Sequence, residues 1–149
     1  MKAFIAIIVF VCFGFFNPKD GLFAQRNKNK EEIVLITNGE WKNDTYRDKR
    51  RSLVYQMDEL GGVKDKKGND IIIVIGNSYR DWDNNMIGRF YPNGEVRNAS
   101  GRKIGNITFG GHVLDWQEKH IDDYGELTRE QAAVQYFFWE LLVHGQKHF

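Results

Sequence analysis

Three stretches of this chain align with a constant offset of 17 residues. They begin at Tyr79 (YRDWDNNMIGRFYPNGE), Val96 (VRNASGRKIGNITFGGH) and Val113 (VLDWQEKHIDDYGEL). Ile87, Ile104 and Ile121 share one place in the alignment, and Phe90, Ile107 and Tyr124 share another. An internal repeat of this length restricts the fold to units that stack or pair with their neighbours. With the first apolar residue called X, Asn77, Gly94 and Gly111 stand at X−2, and Asn84, Gly101 and Glu118 at X+5. Gly and Asn reach left-handed backbone at the least cost, so these places predict turns. Apolar residues at X, X+8 and X+11 then fit a strand, a turn, a second strand and another turn. Glu118 departs from the turn rule and predicts a looser last hairpin.

The pattern extends towards the N-terminus. Val63 reads as an X, with Gly61, Gly68, Ile71 and Val74 in register. Trp41 reads as another, with Gly39 at X−2 and with Val54 and Met57 in the later places after a charged insertion, Asp44 to Arg51. The expectation is a mainly β domain over residues 33–149 built from five hairpin units of about 17 residues. Its structural turn residues are Gly39, Gly61, Gly68, Asn77, Asn84, Gly94, Gly101 and Gly111. Ile33 to Thr37 predicts a strand that pairs with the one at Trp41 and could also meet the last unit, closing a ring without sheet edges. The run Ile71 to Ile75, apolar without alternation, predicts a strand covered on both faces.

Residues 128–144 read differently. Thr128 and Gln131 form a capping-box pair at a helix start. The run QAAVQYFFWELLV that follows is apolar on nearly every side, which predicts a buried helix rather than a surface one. Ala132 and Ala133 suit close approach to a sheet, and Gly145 suits the stop.

Units of the form V-R-x-x-x-G-R-x-I-G-x-I, seen most clearly in VRNASGRKIGNI from Val96 to Ile107, followed by an Ala- and Phe-rich end, resemble the bacterial five-fold beta-flower proteins. The resemblance covers about Ile33 to Val143. It implies a β-hairpin repeat with a helix on it, and brings no catalytic residue to transfer. The chain departs from the pattern at the unit-one insertion and at Ile72 and Asp122, where Gly is expected.

Met1 and Lys2 precede AFIAIIVFVCFGFF. A basic start and an apolar run of 14 residues predict a signal peptide, residues 1–24, cut before Gln25. The run is shorter than the roughly 20 residues of a spanning helix. A polar leader, 25–32, follows, and the mature chain is expected to be periplasmic or extracellular. The lone Cys12 falls in the removed segment, so stability has to come from packing. Lys and Arg number 21 against 20 Asp and Glu, which speaks against a phosphate-driven nucleic-acid binder.

Trp82 and Trp116 both fall at X+3, with Ala99 in that place between them. Such a pair could stack a sugar or aromatic ligand, with Asp81, Asp83, Asp115 and Gln117 as polar surroundings. The plainer reading is hydrophobic cover for the turns. His112, Asp115, His120 and Asp122 cluster in the last unit; they read first as solvent-facing strand and turn residues, and no metal or cofactor is expected. Arg47, Lys49, Arg50 and Arg51 suit an anionic partner or a solvated hairpin tip. Nucleophile-elbow, phosphate-loop and paired-zinc motifs are all missing from the sequence. The expectation is a non-enzymatic binding or structural protein of the cell envelope, its partner an envelope glycan or another envelope protein. The alternative is a carbohydrate-active or metal-dependent hydrolase using His112 and His120.

Overall fold

Alternating strands and tight turns give one antiparallel sheet in which every strand pairs with its sequence neighbours. The computed structural model describes residues 32–146, so the signal segment 1–24 and the leader up to residue 31 lie outside the described residues. The fold concerns the unit Leu35–Phe149. Its strands are β1 (Glu40–Lys42), β2 (Thr45–Arg47), β3 (Leu53–Met57), β4 (Val63–Asp65), β5 (Asp70–Ile75), β6 (Ser78–Asp81), β7 (Met86–Phe90), β8 (Glu95–Asn98), β9 (Lys103–Ile107), β10 (His112–Asp115) and β11 (His120–Asp123). A helix, α1, covers residues 129–144. Among the described residues no ladder joins β11 back to β1, so the sheet is open rather than a closed ring.

One turn design recurs along one end of the meander. It begins at Asp48, Asp65, Asp81, Asn98 and Asp115. In each case the N–H three residues on donates to the first residue's carbonyl, and the first residue's N–H donates to the carbonyl four residues on. The fourth residue is left-handed every time: Arg51 (φ 60), Gly68 (84), Asn84 (66), Gly101 (86) and Glu118 (64). This is a three-residue loop with a bulge, and the ladder slips by one residue beside each of them. Glu118 therefore does not loosen its hairpin. The side chain of the first residue fastens the loop: Asp115 Oδ1 accepts from Gln117 N–H at 2.8 Å and Lys119 N–H at 2.9 Å. Asp65 and Asp81 do the same. An Asx side chain that satisfies the loop's own donors makes the turn locally determined.

The structure corrects four further sequence expectations. The charged stretch Asp44 to Arg51 is not an insertion but β2 plus the first of these turns, and Tyr46, not Trp41, is the buried residue in register with Val63, Tyr79, Val96 and Val113. Residues 33–37 form no strand; Tyr55 and Tyr46 hydroxyls instead accept from the N–H groups of Ile36 and Gly39, both at 2.9 Å. On β5 only Ile71 and Ile72 are fully buried, while Ile75 is exposed. Among the turn residues, positive φ falls on Gly76 rather than Asn77, and Gly39 has no positive φ.

The helix supplies much of the core. Thr128 Oγ1 accepts from Gln131 N–H, and Gln131 Oε1 accepts from Thr128 N–H, closing the capping box. α1 is α-helical over Arg129–Ala133 and Trp139–His144, and π-helical over Val134–Phe138. The wider π turn brings the consecutive rings of Phe137, Phe138 and Trp139 inward, and all three are buried. Trp139 packs among Trp41, Tyr46 and Tyr55 with ring centroids 5.1–5.4 Å away. Phe138 stacks on Tyr79 at 4.5 Å. Phe137 lies on the bare backbone of Gly105, where a Cβ would overlap its ring. The helix also reaches the loops: Thr128 Oγ1 donates to Glu59 O, Gln131 Nε2 to Asp58 O, and Arg129 to Pro92 O. Among the described residues no helix is long and apolar enough to cross a membrane.

Candidate functional site

Two groups of side chains stand out from this frame. The first lies on the last hairpin. β10 and β11 pair His112 with Asp123 and Val113 with Asp122, then slip so that Leu114 faces His120. Ile121 is the extra residue of that bulge. Without it, residues 120 and 123 would point to opposite faces of a regular strand; the bulge re-aims one of them. The result is convergence: Asp123 Oδ1 lies 2.6 Å from His112 Nδ1 and 2.8 Å from His120 Nε2. The two imidazoles stand edge to face at 5.3 Å. All three side chains are more than half exposed. Hydrogen bonds from His120 and His112 hold the Asp123 carboxyl below the usual carboxylate range.

The backbone beneath this group is fixed from two sides. His112 N–H donates to Thr108 Oγ1 at 3.1 Å, and His112 O accepts from Thr108 N–H. Asp122 Oδ1 accepts from Asp123 N–H, and its Oδ2 accepts from the Tyr136 hydroxyl of α1, each at 2.8 Å. Burial, and then the neighbouring Asp122, push the Tyr136 hydroxyl up to about 12. The sequence had grouped His112 and His120 with Asp115 and Asp122. The structure groups them with Asp123, while Asp115 pins its turn and Asp122 is taken by the helix. The signal missed was the bulge, which changes the face count along β11.

The second group is the row of turn tips. Trp82 and Trp116 occupy the second residue of the turns at Asp81 and Asp115. Trp116 is 52% exposed, with the Arg102 guanidinium of the neighbouring turn 6.0 Å from its ring centroid. Trp82 is half-buried. Asp83 and Gln117 stand next in the same loops and are exposed. The carboxylates of Asp81 and Asp115 are occupied by their own loops' N–H groups, so they shape the tips rather than face outward to a ligand. Near the turn at Asp48 a cleft of about 770 Å³ is lined by Lys42, Arg47, Lys49 and Arg51 together with Glu40 and Asp48. Arg47 donates to the Arg51 carbonyl, and Arg50 stands 3.9 Å from Asp48, so the cations are partly engaged with their own hairpin.

Comparison with known proteins returned nothing that names this arrangement: no family model, no curated protein and no solved structure is significantly similar to the chain.

Proposed function

We propose that the chain is a five-unit β-hairpin repeat of the beta-flower type, exported and non-enzymatic, that serves as a binding or structural module of the cell envelope. The units start at Tyr46, Val63, Tyr79, Val96 and Val113. Equivalent bonds support this division: Met57 N–H donates to Asp44 O, Phe90 to Asn77, Ile107 to Gly94 and Tyr124 to Gly111. The observation that carries the binding reading is the row of five turns with one backbone and different tips. The two residues after the pinning Asx are Lys49–Arg50, Lys66–Lys67, Trp82–Asp83, Ala99–Ser100 and Trp116–Gln117. A constant frame with variable, outward tips is the form of a contact surface set by rigid scaffolding.

The ligand class these tips suit best is an envelope glycan stacked on Trp82 and Trp116. Stacking contributes about 0.5–1.5 kcal/mol beyond area burial, so both rings are needed for useful affinity. Tryptophan fluorescence during a glycan titration tests this, with the variant Trp82→Ala/Trp116→Ala. Equal affinity of the double variant and the parent for a bound glycan removes the tryptophan site. Mass spectrometry of the exported protein tests the localisation: the chain should start near Gln25. A second reading, hydrolysis at His112 and His120, is favoured only by the hydrogen bond each makes with Asp123. It predicts turnover of aryl glycosides or esters that disappears in His112→Ala.

A further inference from the structure

Beyond the tips, we infer that His112, His120 and Asp123 form a binding site for one divalent transition-metal ion of the zinc type. His112 Nδ1, His120 Nε2 and Asp123 Oδ1 all lie within 4.8 Å of one another. Two imidazole nitrogens and a carboxylate oxygen are a common three-ligand set for such ions, leaving a fourth position to water or substrate. Metal–ligand bonds of about 2.0–2.2 Å put tetrahedral ligand atoms roughly 3.3–3.5 Å apart. The two contacts to Asp123 would open from 2.6 and 2.8 Å by about 0.5–0.9 Å on that scale. All three side chains are solvent-exposed and can make this adjustment by rotation, without moving the ladder.

The chemistry of the exchange balances. In the metal-free form an ionised Asp123 carboxylate can only accept, so each imidazole must present a ring N–H to its Oδ1. On binding, the same two nitrogens become lone-pair donors to the ion. Each neutral ring keeps its proton by moving it to the other nitrogen through solvent, so no net proton release is needed for neutral imidazoles. The hard cations calcium and magnesium, which take oxygen ligands, do not suit this set.

The supports around the triad are those a metal site needs. Thr108 fixes the His112 backbone, the bulge at Ile121 sets His120 and Asp123 on one side, and Asp122, tied to Tyr136, holds the Asp123 N–H. The equivalent cross-strand places on β8 and β9 carry Glu95, Lys103 and Asn106. The constellation therefore belongs to the last hairpin and is not a by-product of the turn design.

Isothermal titration of the full-length protein with zinc chloride at pH 7.5 tests the site. The expected result is one zinc per chain at micromolar or tighter affinity. Affinity should fall at least tenfold in His112→Ala, in His120→Ala and in Asp123→Asn, and stay unchanged in His144→Ala/His148→Ala. Replacement by cobalt(II) should give visible absorption bands of a four-coordinate ion, lost in the same three variants. Circular dichroism of each variant separates lost ligands from lost fold, and the cobalt spectrum of Asp123→Asn, the mildest change, serves if a histidine variant unfolds. No zinc binding below 1 mM, undiminished binding in the three variants, or equal competition by calcium or magnesium would each overturn the inference.

Discussion

Hairpin β8–β9 turns on Asn98 and hairpin β10–β11 on Asp115, with the same backbone bonds, the same left-handed fourth residue and the same one-residue slip in the ladder. Their surroundings differ. In β8–β9, Val96, Ile104 and Ile107 are buried, and Gly105 lets the Phe137 ring of α1 rest on the backbone. In β10–β11 only Val113 is fully buried. Ile121 is half exposed where Ile104 is enclosed, and Asp122 replaces the glycine. The helix meets Asp122 through the Tyr136 hydroxyl instead of through a ring face. A hairpin's shape is thus set inside its own turn, whereas its packing is set by what the helix offers. The hairpin left uncovered is the one that carries the His–Asp–His group.

The largest expected effect tests the packed side of this contrast. Phe137 is fully buried on Gly105, so Phe137→Ala should destabilise by about 3–5 kcal/mol in urea denaturation. Tyr136→Ala, at the exposed hairpin, should stay well below that. Similar losses for the two would mean that α1 grips both hairpins equally, and the contrast would fail.

Next in size is the glycine itself. Gly105→Ala places a methyl group against the Phe137 ring and the Leu114 carbonyl, and overpacking of this kind costs about 1–3 kcal/mol. Asp122→Ala at the equivalent place meets no ring and should cost about 1 kcal/mol, the loss of two solvent-exposed hydrogen bonds, from Tyr136 and from Asp123 N–H. An Asp122→Ala loss as large as that of Gly105→Ala would show that β11 is held more tightly than its exposure suggests.

Tyr136→Phe sharpens the same point through pH. The lost hydrogen bond to Asp122 should cost about 1 kcal/mol near neutrality. The folded Tyr136 hydroxyl titrates at about 12, above its ordinary value of 10.0. A raised value means the stabilisation is complete below pH 10 and is lost as pH rises towards 12, because the unfolded chain ionises first. The gap between parent and variant should hold steady up to about pH 10 and then shrink. A gap that widens in that window would contradict the assigned bond.

Much of the frame was legible because turns and caps are local. Gly68, Asn84 and Gly101 marked left-handed places by residue type, and Thr128 with Gln131 marked the helix start. What was missed depended on partners distant in sequence or on slips in register. Asp81 and Asp115 looked like outward ligands because nothing in the sequence says that a carboxylate turns back onto its own loop. Tyr46 was passed over as a core residue because it sits in a charged stretch, DTYRDKRR, and its burial comes from Tyr55 and from Trp139 far along the chain. Asp123 fell outside the His112 and His120 cluster; three residues apart on a regular strand would set it on the opposite face from His120, and only the bulge at Ile121 brings the two together. The exposure of Ile121 was invisible for the same reason that Ile104 looked identical to it: the sequence of a hairpin does not record which neighbour covers it.

The smallest effect concerns the turns alone and asks whether they are as alike as their bonds suggest. Gly101 and Glu118 hold the same left-handed place at φ 86 and φ 64. A side chain there carries strain of roughly 1–2 kcal/mol that glycine avoids. Gly101→Glu should therefore destabilise by about 1 kcal/mol, since open space at that position leaves strain as the main penalty. The reverse change, Glu118→Gly, relieves strain but also removes the exposed pair with Lys103 at 3.0 Å, which contributes about 0.2–1 kcal/mol, and raises the entropy lost on folding. Its net effect should lie within about 0.5 kcal/mol of the parent, of either sign. Raising the salt concentration weakens the Lys103 pair in the parent and should move the balance towards the glycine variant. Denaturation midpoints at low and high salt measure both changes. If Glu118→Gly destabilises as much as Gly101→Glu does, the two turns share bonds but not strain, and the likeness between the hairpins ends at the ladder.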